Sequence, residues 1–389
     1  MSYLISCYKR ADVTFVKGEG TYLYDKNNKK YIDFGSGISV VNLGHCNKKI
    51  TEKLIQQVNT IWHTSNLYNI EVQEELAGLI AKNSFDSKVF FCNSGAEANE
   101  GAIKLARIYG NKKYDGLRYR IVTFENSFHG RTYATLSATG QEKVKKGFEP
   151  VADYFVTIKP NDFESFKILA EEKNIVAVML ELIQGEGGVE AMERGFIKYL
   201  VEYCHQNDIL VIFDEIQTGM GRTGEMFAFK HYDVEPDIMT LAKALGNGFP
   251  VGAVVAKPFI AEYLSYGTHG STFGGNFLAC ATGIAVFEQM TEEGFLKNVR
   301  DKGVYLQERL RDVLKNSASV LGESLMIGVR FREIDINDFI AECLKMGLVL
   351  VPAANNTVRV YPPLTVSYEE IDCAVSIIKD VLKKLEGKN

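Results

Sequence analysis

The chain predicts an α/β fold, a mostly parallel sheet of about seven strands sandwiched by helices, with a smaller α+β unit beside it. Three observations lead there. Between residues 88 and 256, short apolar, β-branched runs alternate with longer segments of helical period. Several of those runs are continuously hydrophobic, as strands covered on both faces require. After about residue 285 the order changes to helix, short strands, helix.

Taken in order, Val13 to Phe34 reads as hairpin material, with Lys26-Asn27-Asn28 as its turn. It is expected to pack on the carboxy-terminal unit. The sheet strands are expected at Lys88–Cys92, Tyr119–Phe124, Asp153–Ile158, Ile175–Leu180, Ile209–Phe213, Asp237–Leu241 and Val251–Ala256. Helices are expected at Val72–Lys82, Ala96–Tyr109, Phe196–Gln206, Ala279–Met290, Leu296–Leu314, Asp335–Lys345 and Tyr368–Leu385. Ser324–Phe331 and Val358–Tyr361 read as strands of the smaller unit. Residues 45–285 are thus assigned to a large unit, and 1–44 with 286–389 to a small one built from both termini. No internal repeat or low-complexity tract interrupts the pattern.

Composition narrows the function classes. With 389 residues, 46% hydrophobic and 24% charged, the chain can bury a large core. Lys plus Arg number 44 against 49 Asp plus Glu, which leaves no basic footprint for nucleic acid and no polybasic membrane arm. Small-molecule chemistry is the expectation. The seven cysteines are scattered, without a C-x-x-C pair or a histidine cluster, which argues for reduced thiols and against a zinc site. The basic residues of Met1–Arg10 follow a very short apolar stretch, the reverse of a signal peptide, and no apolar run reaches the roughly twenty residues of a membrane span. A cytoplasmic location is expected.

Two residues suggest covalent cofactor chemistry. Lys243 stands in Asp237-Ile-Met-Thr-Leu-Ala-Lys-Ala-Leu-Gly-Asn-Gly248, between apolar neighbours and before a glycine turn. A poorly solvated ammonium has a lowered pKa and can form a Schiff base. Asp214 leaves the end of an apolar strand, where a carboxylate can sit beneath a pyridinium nitrogen and keep it protonated. Alone, such a lysine is more often a helix-surface residue and such an aspartate a helix cap or loop ligand. Together they suggest pyridoxal phosphate.

The remaining motifs fit that cofactor. Lys88–Cys92 runs into Asn93-Ser-Gly-Ala-Glu-Ala-Asn-Glu100 and an amphipathic helix, a strand, small-residue turn and helix amino terminus able to take a lone phosphate. It has neither dinucleotide glycines nor a P-loop Gly-Lys-Ser/Thr. In Phe124-Glu-Asn-Ser-Phe-His-Gly-Arg-Thr132, Phe128 can stack on a flat heterocycle and Arg131 can grip a carboxylate. His129, lacking a recognisable partner in sequence, is left outside the catalytic set. Further strand-end clusters are Glu181-Leu-Ile-Gln-Gly-Glu-Gly-Gly188, Asp214-Glu-Ile-Gln-Thr-Gly219 and His269-Gly-Ser-Thr-Phe-Gly-Gly-Asn276. Ligands of open α/β sheets gather at the carboxyl ends of strands, so these loops can converge on one crevice.

In order and spacing, these motifs resemble the class III pyridoxal-phosphate aminotransferases from about Tyr8 to the final helix, most closely those acting on N-acetylornithine in arginine biosynthesis. The resemblance implies the aspartate-aminotransferase-like fold, PLP fold type I, and a homodimer whose active sites lie at the subunit interface. It implies that Lys243 bonds the cofactor covalently and Asp214 pairs with its ring nitrogen. Gly95, Ala96, Phe128, Glu215, Ile216, Gln217 and Thr272 would complete the cofactor set, with Thr272 supplied by the partner subunit. Arg131 would hold the substrate carboxylate and Ser271 of the neighbouring chain would lie close by. Glu186 would pair with Arg359 when the donor presents an apolar chain, and release it to the second carboxylate of 2-oxoglutarate. Where ornithine-specific relatives carry a tyrosine, this chain has Ile38, which suits an acylated, uncharged nitrogen; Tyr8 also matches the acetylornithine group. Leu182 and Phe277 stand where the family often has proline, which implies local loop adjustment.

The reaction so implied moves the terminal amino group of N2-acetyl-L-ornithine to 2-oxoglutarate. Succinylornithine, succinyldiaminopimelate, ornithine and 4-aminobutyrate remain open as donors. A dehydrogenase on a Rossmann-like sheet would need a glycine fingerprint and an acidic residue about twenty positions on, and the chain has neither. A noncatalytic protein of this fold would be expected to lack Lys243 or Asp214.

Overall fold

The computed structural model describes residues 3–387, so the outermost two residues at each end of the assigned small unit lie outside it. Its centre is a seven-stranded sheet. In chain order the strands are β1 (Lys88–Cys92), β2 (Arg120–Phe124), β3 (Phe155–Ile158), β4 (Ile175–Leu180), β5 (Leu210–Asp214), β6 (Ile238–Leu241) and β7 (Gly252–Ala256). Their spatial order is β1-β7-β6-β5-β4-β2-β3. Only β7 runs against its neighbours. Every residue of β4, β5, β6 and β7 is buried, which is why these strands carry unbroken apolar runs. All seven expected strands are present with ends moved by one or two residues.

Helices cover both faces. Gly95–Tyr114 lies against β6 and β7, while Arg194–Gln206 packs Phe196, Ile197, Leu200 and Val201 into the core. Phe277–Met290 is buried along nearly its whole length and packs on Glu71–Asn83 and Lys48–Val58. Lys48–Val58, capped by Asn47 accepting from Ile50 N–H, has no counterpart among the expected helices; its lysines and glutamines leave Ile50 as its one buried residue.

The amino-terminal stretch forms three strands, Phe15–Glu19, Tyr22–Asp25 and Lys30–Asp33, instead of one hairpin. The expected turn is there: Asp25 Oδ1 accepts from Asn27 N–H and Lys29 N–H. A second reversal at Gly20-Thr21 adds the extra strand. As expected, this meander joins carboxy-terminal elements: Leu348–Val349 pairs in parallel with Ile32 and Asp33, and Thr21 Oγ1 donates to Glu370 Oε2 at 2.9 Å. Another sheet is ordered Ala318–Glu323, Met326–Phe331, Thr357–Val360, Val351–Ala353. Ala318–Glu323 escaped the sequence reading because Gly322 and its half-exposed face blur the alternation. No described helix is long and apolar enough to cross a membrane.

Candidate active site

The parallel strands β1, β2, β4, β5 and β6 end on one edge of the sheet, and β7, running oppositely, begins there. A cavity of about 380 Å³ opens at that edge, lined by Gly95, Ala96, Phe128, Arg131, Asp214, Ile216, Gln217 and Lys243, among others. Four separate loop clusters therefore meet at one place.

Asp214, the last residue of β5, is 4% exposed. Its Oδ2 accepts from Asn99 Nδ2 at 2.8 Å and lies 2.9 Å from His129 Nδ1; its Oδ1 accepts from Ile216 N–H at 3.1 Å. Asn99 is locked in turn by Thr240 Oγ1, which donates to its Oδ1, and by the carbonyl of His129. His129, set aside at the sequence level for want of a partner, thus has one, and the correction comes from a contact spanning two strands. Its Nε2 is buried without a hydrogen-bond partner. A helical polar residue four positions after Gly95 was the one available sign of Asn99.

Lys243 follows β6 in a left-handed conformation (φ 46°) that opens a short 3-10 turn. It faces the cavity, and its ammonium makes no hydrogen bond to any described residue. Burial, helped by the positive charge of Arg359, pulls its pKa down to about 8, against the opposing pull of Glu186, Asp214 and Glu181. A fraction of the amine is therefore free near neutral pH, more than for an ordinary lysine, as the apolar surroundings of its sequence suggested.

Glu181 is a second residue the sequence reading gave no role. It follows the six apolar residues of β4, is 5% exposed, and accepts from the N–H groups of Phe128 (2.8 Å) and Gly185 (3.2 Å). Burial and then the negative Asp214 push its carboxyl up to about 7. A charged residue straight after a buried strand was its sequence signal.

Arg359 is 2% exposed; its Nη1 donates to Glu186 Oε1 at 2.6 Å and its Nη2 to the Pro352 carbonyl at 2.7 Å. Its Nε is buried without a partner, so the guanidinium keeps a donor in reserve. Arg131 lies at the cavity with its guanidinium 5.6 Å from the Phe128 ring centre, and no described residue neutralises it. Tyr361 donates to Gln217 Oε1 at 3.1 Å, joining the β5 loop to the strand that carries Arg359.

Other assigned residues fall differently. Glu215 is turned away from the cavity: its oxygens accept from Phe229 N–H and Thr218 Oγ1, so it braces the loop and contributes no contact surface. Tyr8 is exposed, with Arg10 over its ring. Ser271 and Thr272 line a separate surface groove with His63, Asn66 and Tyr266, and do not border the cavity of their own chain.

Ile38 is half-buried and is not among the residues that line the cavity; it belongs to an unusual backbone segment beside it. Ser36, Gly37, Ile38 and Ser39 all have positive φ (45°, 61°, 66° and 60°), a left-handed helical turn. Left-handed residues other than glycine cost about 1–2 kcal/mol each, so three within four positions require strong external bracing. Val40, directly after the turn, borders the cavity. The fully buried Arg222 supplies part of that bracing through neutral oxygens alone; burial pulls its guanidinium down to about 9, still a cation at neutral pH.

Comparison with known proteins agrees with this geometry. Residues 7–382 match the family described as aminotransferase class-III. The chain belongs to that family. It is 48% identical over 386 residues to an acetylornithine aminotransferase of Caldanaerobacter subterraneus, covering 98% of each chain, and 47% identical to that of Bacillus subtilis with the same coverage. Among solved structures, an ornithine aminotransferase from Toxoplasma gondii, described with pyridoxal phosphate at its active site, superposes with a TM-score of 0.94 at 30% identity, covering 98% of this chain and 93% of that one. An N-acetylornithine aminotransferase from Stenotrophomonas maltophilia gives 0.86 at 32% identity, covering 98% of each. The fold is therefore PLP fold type I and the chain is a pyridoxal-phosphate-dependent transaminase.

The residues present fit the cofactor. A Cβ on Gly95 would lie 2.9 Å from Ile216 Cδ1, so the backbone at this helix start is kept bare. The unsolvated Lys243 amine and the fixed Asp214 carboxylate supply the amine and the ring-nitrogen partner that the group needs.

Proposed function

We propose that this transaminase moves the terminal amino group of N2-acetyl-L-ornithine to 2-oxoglutarate, giving N-acetyl-L-glutamate 5-semialdehyde and L-glutamate, as a step of arginine biosynthesis in the cytoplasm. The observation that carries the reading is the unequal state of two arginines: Arg131 is unneutralised, whereas Arg359 is held by Glu186 at 2.6 Å. A donor with one carboxylate needs Arg131 alone, and its apolar middle can lie beside the closed Glu186–Arg359 pair. A dicarboxylate acceptor needs both guanidiniums, and the unpartnered Nε of Arg359 supports that second use. Ile38, without a polar group, suits an acylated nitrogen, and the acetylornithine aminotransferases of known relatives favour the same donor.

Pyridoxal phosphate, when bound, supplies an aldehyde that takes up amines and a ring that draws electrons from the adjoining carbon. The chain's part follows from its geometry. Gly95 and Ala96 would hold the phosphate at the helix start, Phe128 would stack on the ring, Ile216 and Gln217 would border its other face and its oxygen, and Asp214 would keep the ring nitrogen protonated. Lys243 Nζ, released as a free amine, would take the proton from the donor carbon that bears nitrogen and return it one position away. His129 and Asn99 would fix the Asp214 carboxylate without touching substrate.

We also infer that residues 45–285 form the cofactor-binding unit, and that 1–44 with 286–389 form the small unit. In a homodimer, Thr272 and Ser271 of each chain would complete the neighbouring site. That both line a groove outside the cavity of their own chain supports this, although Ser271 Oγ accepts from Asn93 Nδ2 at the cavity rim at 3.3 Å. The test is a donor panel with 2-oxoglutarate comparing kcat/KM for N-acetylornithine, succinylornithine, succinyldiaminopimelate, ornithine and 4-aminobutyrate. N-acetylornithine should lead; a higher value for any other donor overturns the assignment.

A further inference from the structure

We propose that Arg222 is a positioning residue for the donor half-reaction: from outside the cavity it holds the left-handed turn 36–39 in the form that sets the donor wall at Ile38 and Val40. This rests on the reading that Ile38 meets the amino donor.

The turn cannot be held by its own bonds. Ile38 N–H reaches the Gly35 carbonyl and Val40 N–H the Ser36 carbonyl, each at 2.8 Å, but a right-handed turn offers equivalent bonds without crowding the branched Ile38 side chain. External braces decide the matter. At the start, Asp33 Oδ1 accepts from the N–H groups of Gly35 and Ser36, and Ser36 Oγ donates to the Tyr361 carbonyl. At the end, Arg222 Nε donates to Ser39 Oγ at 3.0 Å and Arg222 Nη2 to Asn42 Oδ1 at 2.5 Å, while Ser39 Oγ itself donates to Asn42 Oδ1 at 3.1 Å. The three side chains close a triangle that fixes the exit of the turn.

The other edge of the same guanidinium anchors the triangle. Arg222 Nη1 donates to the carbonyls of Leu325 (3.1 Å) and Pro362 (2.7 Å). One planar fork thus joins the turn to two carboxy-terminal segments, a geometry that a lysine ammonium cannot reproduce. Arg222 is completely buried, and none of its hydrogen-bond partners is a carboxylate. A buried cation bonded only to neutral oxygens is an expensive way to stabilise a fold, which points to a geometric role.

The link to the site is direct. Val40 borders the cavity next to the turn, and Ser39 Oγ lies 3.4 Å from the carbonyl of Gln217, another cavity residue. The acceptor's anchors have ties of their own: Arg359, although its strand leads into Pro362, which Arg222 also bonds, is held by Glu186 and Pro352, and Arg131 sits on the loop after β2. Loosening the turn therefore displaces the donor wall first, while Arg359 keeps its bonds to Glu186 and Pro352.

The experiment measures the two half-reactions separately on the holoenzyme, from the cofactor's absorbance, in Arg222→Lys and Ser39→Ala. Each is compared with the wild type using whichever amine the wild type itself prefers, so a wrong substrate assignment sinks the functional reading without touching this one. Arg222→Lys should lower donor kcat/KM by about tenfold or more while glutamate and 2-oxoglutarate keep theirs within about threefold, since small misplacements near reacting atoms carry large rate costs. Ser39→Ala, which removes the hydroxyl's bonds to Arg222 and Asn42 but leaves the other Arg222 bonds, should act in the same direction by about threefold or more. Equal losses in both half-reactions, or no loss in either, would overturn the proposal. If Arg222→Lys fails to accumulate as holoenzyme, the ratio measured in Ser39→Ala decides alone.

Discussion

At the scale of single residues, the role proposed for Lys243 ties the chemistry to pH. Its pKa of about 8 in the folded protein compares with 10.5 for an ordinary lysine, because burial disfavours the ammonium. Below that pH both folded and unfolded chains hold the proton, and the folded chain bears the full cost. Between about 8 and 10.5 the unfolded chain binds more protons, so this group's contribution makes the apoenzyme more stable as pH rises through that window. The free amine appears over the same rise, so the rate of cofactor uptake by apoenzyme should climb with an inflection near pH 8; a flat absorbance-monitored profile across that pH would contradict it. Lys243→Ala should abolish turnover and lose borohydride-fixed cofactor, which mass spectrometry of the treated chain reads directly. Arg131→Ala should weaken carboxylate binding by about 1.5–3 kcal/mol, the cost of a charged hydrogen bond, seen as a raised KM for donor and acceptor alike. Glu186→Ala, by contrast, should shift the balance between the half-reactions, because it leaves Arg359 permanently open; an unchanged ratio would remove the pair from the account of dual specificity. Lys243, Asp214 and Arg131 were legible because each sits in a short local pattern. His129, Asn99 and Glu181 were not, since their partners come from other strands.

At the scale of elements, the strand ends and helix starts do the positioning. Ser94 caps the helix Gly95–Tyr114 by accepting from Glu97 N–H, and the bare Gly95 leaves its first turn open to a phosphate. Gly95→Val should therefore press on Ile216, whose Cδ1 already lies 2.9 Å from a built Cβ, and lower cofactor affinity by about tenfold with little change in helix content. Titration of the apoenzyme by absorbance, beside circular dichroism, separates the two. Helices with clear caps and apolar stripes were read from sequence almost to their ends; Tyr368–Glu386, for example, opens on the Ser367–Glu370 capping box. Lys48–Val58 was legible in principle, with Ile50, Leu54, Ile55 and Val58 at helical spacing behind the Asn47 cap, whereas the left-handed turn 36–39 was not, because Ile38 and Ser39 show no local preference for positive φ.

At the scale of the whole molecule, the proposed homodimer would complete each site across its interface. Thr272 and Ser271 lie in a groove of their own, near the exposed Trp62, Leu67, Tyr68, Tyr266 and Phe273. Apolar surface of that extent suits burial against a second copy. If Thr272 acts across the interface, mixing Lys243→Ala and Thr272→Ala enzymes at limiting cofactor should regain activity that neither homodimer has, because one mixed site keeps both intact residues. No gain in subunit-exchanged samples would place Thr272 outside the neighbouring site.

By itself the sequence determined the α/β order and the cofactor chemistry, and it singled out the lysine, aspartate and arginine proposed to serve it. Those features are local, since buried strands need continuous apolar runs and catalytic turns need small residues at fixed spacing. Only the tertiary structure decided that His129 and Asn99 hold Asp214, that Glu181 ties two loops together, that Glu215 points away, and that Arg222 braces a left-handed turn. Each depends on contacts between residues far apart in the chain, where hydrogen-bond geometry in a dry interior, and no local pattern, selects the partner.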